Sequence, residues 1–171
     1  MEDVVTTTTI NHRKIKRMFD PPLEMPITVD QQLSFEERIA LGKYESRHEY
    51  FTEEMFSSKS EEKGEKRIAR PLYLRKTKKT PCLEEVQAYL RMVHFRPGNT
   101  EELLAFGEQY PDFQEKHAVL ALARIVEIKL SLFAPVLDVD PEWRATPCRS
   151  IGLEWCHFGL RQGIYILAFK Q

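Results

Sequence analysis

Between residues 119 and 133, apolar side chains fall on every side of a helical wheel: Val119, Leu120, Leu122, Ile125, Val126, Ile128, Leu130, Leu132 and Phe133. Such a segment has no face to offer to water and must be enclosed. Asp112 and Glu115 precede it at capping-box spacing, just after Pro111. The pattern predicts a central core helix over about 112–133, around which the rest of the chain packs. Arg124, Glu127 and Lys129 interrupt the run. Each charge would cost ~2.5–3.5 kcal/mol at a bilayer centre, so the segment reads as core rather than as a membrane span.

Other elements follow from shorter signals. Ser34 and Glu37 have capping-box spacing, and Phe35, Ile39, Tyr44, Phe51 and Met55 fall broadly on one side, which predicts a helix over about 34–56. Leu83, Val86, Leu90 and Val93 step by three or four behind Thr80-Pro81, predicting a second helix. Thr100, with Glu101 and Glu102 in the first turn, starts a third. Leu72 and Leu74 alternate with Tyr73 and Arg75 as in a short strand. Pro135, Pro141 and Pro147 mark residues 135–149 as a loop. The apolar runs 151–158 and 164–169 flank Gly159-Leu160-Arg161-Gln162-Gly163 and suggest a C-terminal β-hairpin. The expected fold is α+β: three to four helices around the central one, packed on a small, mostly antiparallel sheet. Residues 1–33 carry a β-branched stretch (3–10) and several prolines. They read as an extended N-terminal arm preceding a single domain over 34–171, with a basic loop at 57–80.

Charge is segregated. From Lys59 to Lys79 there are nine Lys/Arg against three Glu, a local net of +6, whereas the whole chain carries −1. Lys66, Arg67, Arg70, Tyr73, Arg75, Lys76, Lys78 and Lys79 are the residues such a segment would present to phosphate or to an acidic partner. A smaller basic run, 12–17, could extend that surface. The alternative is that these cations solvate a loop (57–64 is small and charged) and an edge strand, where lysine also blocks edge-to-edge pairing. The overall −1 argues against a surface built wholly for nucleic acid.

Chemistry finds little foothold. The seven glycines are scattered, and neither GxxxxGK[ST] nor GxGxxG occurs, which disfavours the common nucleotide-binding loops. GxSxG and HExxH are also missing. Cys148, Cys156 and His157 are close in sequence but lack a zinc spacing, and adjacent strand residues point to opposite faces. Asp138, Asp140 and Glu142 lack the spacing of a calcium loop. Pairings such as Cys148 with His117, or Cys156 with His94, carry no sequence signature. His117 is the histidine of first interest for an enzyme. No cofactor, metal or catalytic residue is assigned.

Three cysteines and a start lacking an apolar leader segment predict reduced thiols and a cytoplasmic protein. The expected function is that of a non-catalytic interaction protein with a protein partner or a homo-oligomeric state and no membrane. Phe19, Phe35, Tyr44, Tyr50, Phe51 and Phe56 are its candidate anchors. The alternative is nucleic-acid binding through 59–79, and the second alternative an enzyme without a recognisable motif.

Overall fold

A run apolar at every position satisfies two buried geometries, a central helix or a strand covered on both faces. In the computed structural model, which describes residues 17–56, 66–140 and 148–171, the second applies to Val119–Leu120, and residues 123–133 of the run are half-buried or exposed. The expected helix over 112–133 is not formed. The elements in chain order are β1 (Met25–Thr28), α1 (Phe35–Gly42), β2 (Ser46–Arg47), α2 (Glu53–Phe56), β3 (Lys66–Ala69), β4 (Leu72–Leu74), α3 (Leu83–Met92), β5 (Phe95–Pro97), α4 (Thr100–Gln109), α5 (Pro111–Gln114), β6 (Val119–Leu120), β7 (Val126–Ile128), β8 (Ser131–Asp140), β9 (Cys148–Trp155), β10 (Ile164–Ile166) and β11 (Ala168–Lys170).

The expectation of helices packed on a small sheet is therefore corrected. Strand outweighs helix, and the strands form a four-stranded sheet, β1-β3-β11-β5, and a seven-stranded one, β2-β9-β8-β6-β10-β4 with β7 beside β8. Most neighbours run antiparallel, while β6–β10 and β2–β9 are parallel. The helix expected over 34–56 stops at Gly42, where Lys43 turns left-handed (φ 50°), and β2 and α2 follow. Residues 135–149 are not a loop throughout: β8 runs through Pro135 to Asp140, and β9 starts at Cys148. The two C-terminal runs do not pair with each other. β9 lies along β8, while β10 sits between β4 and β6. The basic segment contributes strands β3 and β4. The expected strand at 3–10 and the loop at 57–64 lie outside the described residues, as does Glu142.

The seven-stranded sheet separates two cores. On β6, Leu120 joins Leu72, Leu74, Val86, Leu90, Val136 and Ile166 on one side. Val119 joins Phe35, Phe51, Phe56, Leu103, Phe106, Leu137 and Ile151 on the other. Both β6 residues have no exposed surface. Residues 17–33 belong to these cores too: Phe19 stacks on Tyr89 (4.1 Å), and Ile27 on β1 is buried.

Helix ends follow their local sequence. Ser34 and Glu37 form the expected capping box. Asn99, one residue before the expected cap, forms another with Glu102. Tyr44 fills the space between Gly42 and Gly107, where an added Cβ would run into its ring or hydroxyl. The Arg149 guanidinium covers the same ring at 5.3 Å.

Candidate interaction surface

The basic segment divides once folded. Arg67 donates to Glu102 Oε1 (2.6 Å), and Arg96 donates to both oxygens of the same carboxylate. Glu102 is fully buried and also accepts from the Asn99 amide (2.9 Å). Burial pushes this carboxyl up, but the Arg96, Asn99 and Arg67 hydrogen bonds outweigh it and hold the pKa below the ordinary range. Arg70 pairs with Glu24 and lies over the Phe95 ring (5.7 Å). Arg75 pairs with Asp20, and Lys79 with Glu85 at 3.4 Å. Tyr73 faces Tyr165 across the β4–β10 pair, ring to ring at 5.1 Å. Lys66, Lys76 and Lys78 are exposed and make no ion pair with the described residues. Of the 12–17 run, only Arg17 is among the described residues, and it is exposed.

The N-terminal aromatics are mostly internal. Phe19, Phe35, Phe51 and Phe56 are core residues, and Tyr44 is largely enclosed. Of the expected anchors, Tyr50 lines a cavity.

Among the described residues, Leu23, Leu41 and Ile68 are apolar side chains exposed singly, and three more, Leu130, Trp155 and Phe158, lie at one end of the seven-stranded sheet. Trp155 ends β9 and pairs with Phe133 on β8, so both point to the same face. Beyond it, Phe158 packs edge-on against Trp155 (5.2 Å, 86°) and His157 (4.6 Å, 87°). Phe158 is 78% exposed and Trp155 48%. Continuing the register, the β7–β8 hairpin tip lies at this same end, and Leu130 on it is 82% exposed. Ile128 pairs with Ser131, so Lys129-Leu130 is a two-residue turn, and both residues have positive φ (49° and 64°). This is the type I′ geometry that glycine or asparagine usually supplies, adopted here by a leucine at a cost of order 1–2 kcal/mol. Beneath the tip is a cavity of about 230 Å³, lined by His48, Tyr50, Ile128, Lys129, Ser131, Phe133 and Leu153.

The Trp155–Phe158 knob is held on a fixed turn. Leu160 donates to the Pro81 carbonyl (2.9 Å), Gln162 Nε2 to the Lys79 carbonyl (2.9 Å), and the Thr77 amide to Gln162 Oε1 (2.6 Å). Gly159, at φ 130°, passes so close to Thr80 that an added Cβ would stand 2.7 Å from its methyl. Loop 75–81 thus runs alongside 159–163, the turn that follows the aromatic knob, with Thr80 against Gly159 and Lys76 against Gly163. Sequence reading missed Leu130, Trp155 and Phe158, because each sits in an apolar run that looks like core. The Lys129-Leu130 turn lacks the glycine or asparagine that marks a two-residue hairpin in sequence.

A second cleft, of about 210 Å³, opens on the other face of β8 and β9, lined among others by Ser46, His48, Asp138, Ser150, Gly152 and Glu154. Burial raises the Glu154 carboxyl, opposed by Arg161 and assisted by Asp138. Arg161 engages both acids, Asp138 at 2.6 Å and Glu154 at 3.3 Å, so each carboxylate already has a cationic partner.

The other chemical candidates are enclosed. Burial and the Glu154 carboxylate push the Cys156 thiol up to about 12, the reverse of an activated nucleophile. Cys148 is buried. His117 lies between Phe113 and Tyr165, and burial lowers its pKa, with Lys116 adding to the shift. Among the described residues no three His, Cys, Asp or Glu side chains converge as a metal site would require. None of the helices in those residues is long and apolar enough to cross a membrane.

Compared with known proteins, the chain matches no family model and no curated protein, and its fold matches no solved structure.

Proposed function

We propose that this chain is a non-catalytic protein-binding module whose contact surface is the Leu130–Trp155–Phe158 end of the seven-stranded sheet. The observation that carries this reading is the presence of three large, exposed apolar side chains at one end of the sheet, next to a cavity that Phe133, the strand partner of Trp155, helps to line. Leaving a side chain of this size in water forgoes ~1.5–3 kcal/mol that burial would contribute. Leu130 is in addition held in a conformation unfavourable for leucine, and backbone strain of this kind clusters at sites of recognition. Aromatic anchors beside a pocket, with cations at the rim, are the usual composition of a protein contact. Lys76, Lys78 and Lys79 supply that rim, and an odd count of three cysteines suits a reducing, cytoplasmic setting.

Nucleic-acid binding through 59–79 has less in its favour. Arg67, Arg70, Arg75 and Lys79 are engaged by carboxylates of the chain itself. The exposed rings stand perpendicular to one another, whereas successive bases call for accessible ring faces. An enzymatic role for the second cleft is disfavoured because Arg161 occupies both of its acids.

A photo-crosslinking residue replacing Phe158 tests the proposal directly in cells. The expected result is a discrete protein adduct at 158 that does not form from Glu108, an exposed position on α4. No adduct at 158, or equal labelling at both positions, would overturn the reading.

A further inference from the structure

The knob and the cavity are neighbours on one surface. Trp155 stands beside Phe133, which lines the cavity, and Phe158 packs on Trp155. A projection next to a hole of matching character is self-complementary. A two-fold axis between them lays each knob over the other copy's hole, the isologous arrangement of most homodimers. The volume suits this: an apolar cavity near 150 Å³ holds a benzene, and this one, at about 230 Å³, has room for a phenyl ring.

Charge points the same way. On the knob side, Lys76, Lys78 and Lys79 are exposed on the loop fastened to the 158–163 turn. On the cavity side, Glu49 stands between the lining residues His48 and Tyr50, and Glu53 and Glu54 open α2 a few residues further on; all three acids are exposed and outnumber Lys129, the lining cation whose ammonium stands over the Tyr50 ring (5.9 Å). A two-fold axis sets each basic rim against the other copy's acidic rim, so attraction is reciprocal rather than self-cancelling.

Resting on the protein-binding reading above, we propose that the occupant of this surface is a second copy of this chain, with Phe158 of each protomer seated in the cavity formed by Tyr50, Ile128, Phe133 and Leu153 of the other.

Sedimentation velocity of the purified full chain over a wide concentration range tests this. The expected result is a monomer–dimer equilibrium. Phe158→Ser abolishes the dimer while leaving the melting temperature of the monomer unchanged. The double charge reversal Lys76→Glu/Lys78→Glu weakens the dimer at least tenfold at low salt, and adding Glu53→Lys/Glu54→Lys restores it. Wild-type chain that stays monomeric at the highest attainable concentration overturns the inference, as does a dimer indifferent to Phe158→Ser. If the chain is monomeric and position 158 still crosslinks to a different protein in cells, this inference fails while the protein-binding reading stands. Oligonucleotide binding that is lost on Lys76→Gln/Lys78→Gln, without self-association, overturns both.

Discussion

Two described stretches of the basic segment, 66–70 and 75–79, use their cations differently. In the first, Arg67 and Arg70 turn inward onto Glu102 and Glu24, and Arg67 joins Arg96 around a carboxylate with no exposed surface. In the second, Lys76 and Lys78 face solvent on the loop beside the 159–163 turn, and Lys79 is held only by a 3.4 Å contact. The arginine fork matches a carboxylate in two-point geometry and is weakly hydrated, so it suits a buried network. The compact, strongly hydrated lysine ammonium stays outside. A patch of charge in sequence is therefore not a patch in space. Its arginines at 67, 70 and 75 are taken up by carboxylates of the chain itself, and its lysines at 66, 76 and 78 reach solvent.

The largest test of that contrast is Glu102→Gln. It leaves Arg67 and Arg96 facing a neutral group in a buried site, and a loss of about 3–5 kcal/mol is expected by denaturant unfolding. A loss below about 1 kcal/mol would place this network with ordinary surface pairs. The same residue sets a pH signature. Its folded pKa is lowered below the ordinary 4.5, so its stabilisation is present above that value and is lost as pH falls through the folded pKa. Thermal melts between about pH 5 and 2 should show the wild type losing stability more steeply than Glu102→Gln.

Smaller effects are expected elsewhere. Leu130→Gly relieves the positive φ and should stabilise the monomer by about 0.5–1 kcal/mol, while weakening the association measured by sedimentation. A variant that is more stable and still associates fully would show that the strained leucine has no part in contact. Arg75→Gln removes an ion pair with both partners more than a third exposed, and a change of about 0–1 kcal/mol is expected in the same unfolding assay. Lys76→Gln/Lys78→Gln should shift stability by less than about 0.5 kcal/mol. A larger loss would mean that these lysines, too, hold the fold together.

Short-range signals were legible in the sequence. The Ser34–Glu37 box and the three-and-four spacing from Leu83 both mark real helices, because capping and amphipathic periodicity are satisfied within a few residues. The register between β8 and β9 was not legible, since its two strands are joined through residues that looked like a single loop. The interaction surface was hidden for a related reason. Leu130, Trp155 and Phe158 read as core in one dimension, and their exposure depends on where a hairpin ends and a strand turns.

The sequence by itself determined that a helix would start at 35 behind Ser34, that another would run through 83–92 (capped by Cys82 rather than by the expected Thr80), and that cations would be concentrated in one segment, while of the run 119–133 only residues 119–122 are fully enclosed. Only the tertiary structure decided that the enclosed run would be strand rather than helix. A period that is apolar at every position carries no information about 3.6 versus 2.0 residues per repeat, and neighbours distant in the chain resolved it: β8 and β10 on either side of β6 supply hydrogen bonds, and the two cores cover its faces. The tertiary structure likewise decided which cations are paired, because Glu102 lies 35 residues from Arg67 along the chain and meets it only across the fold.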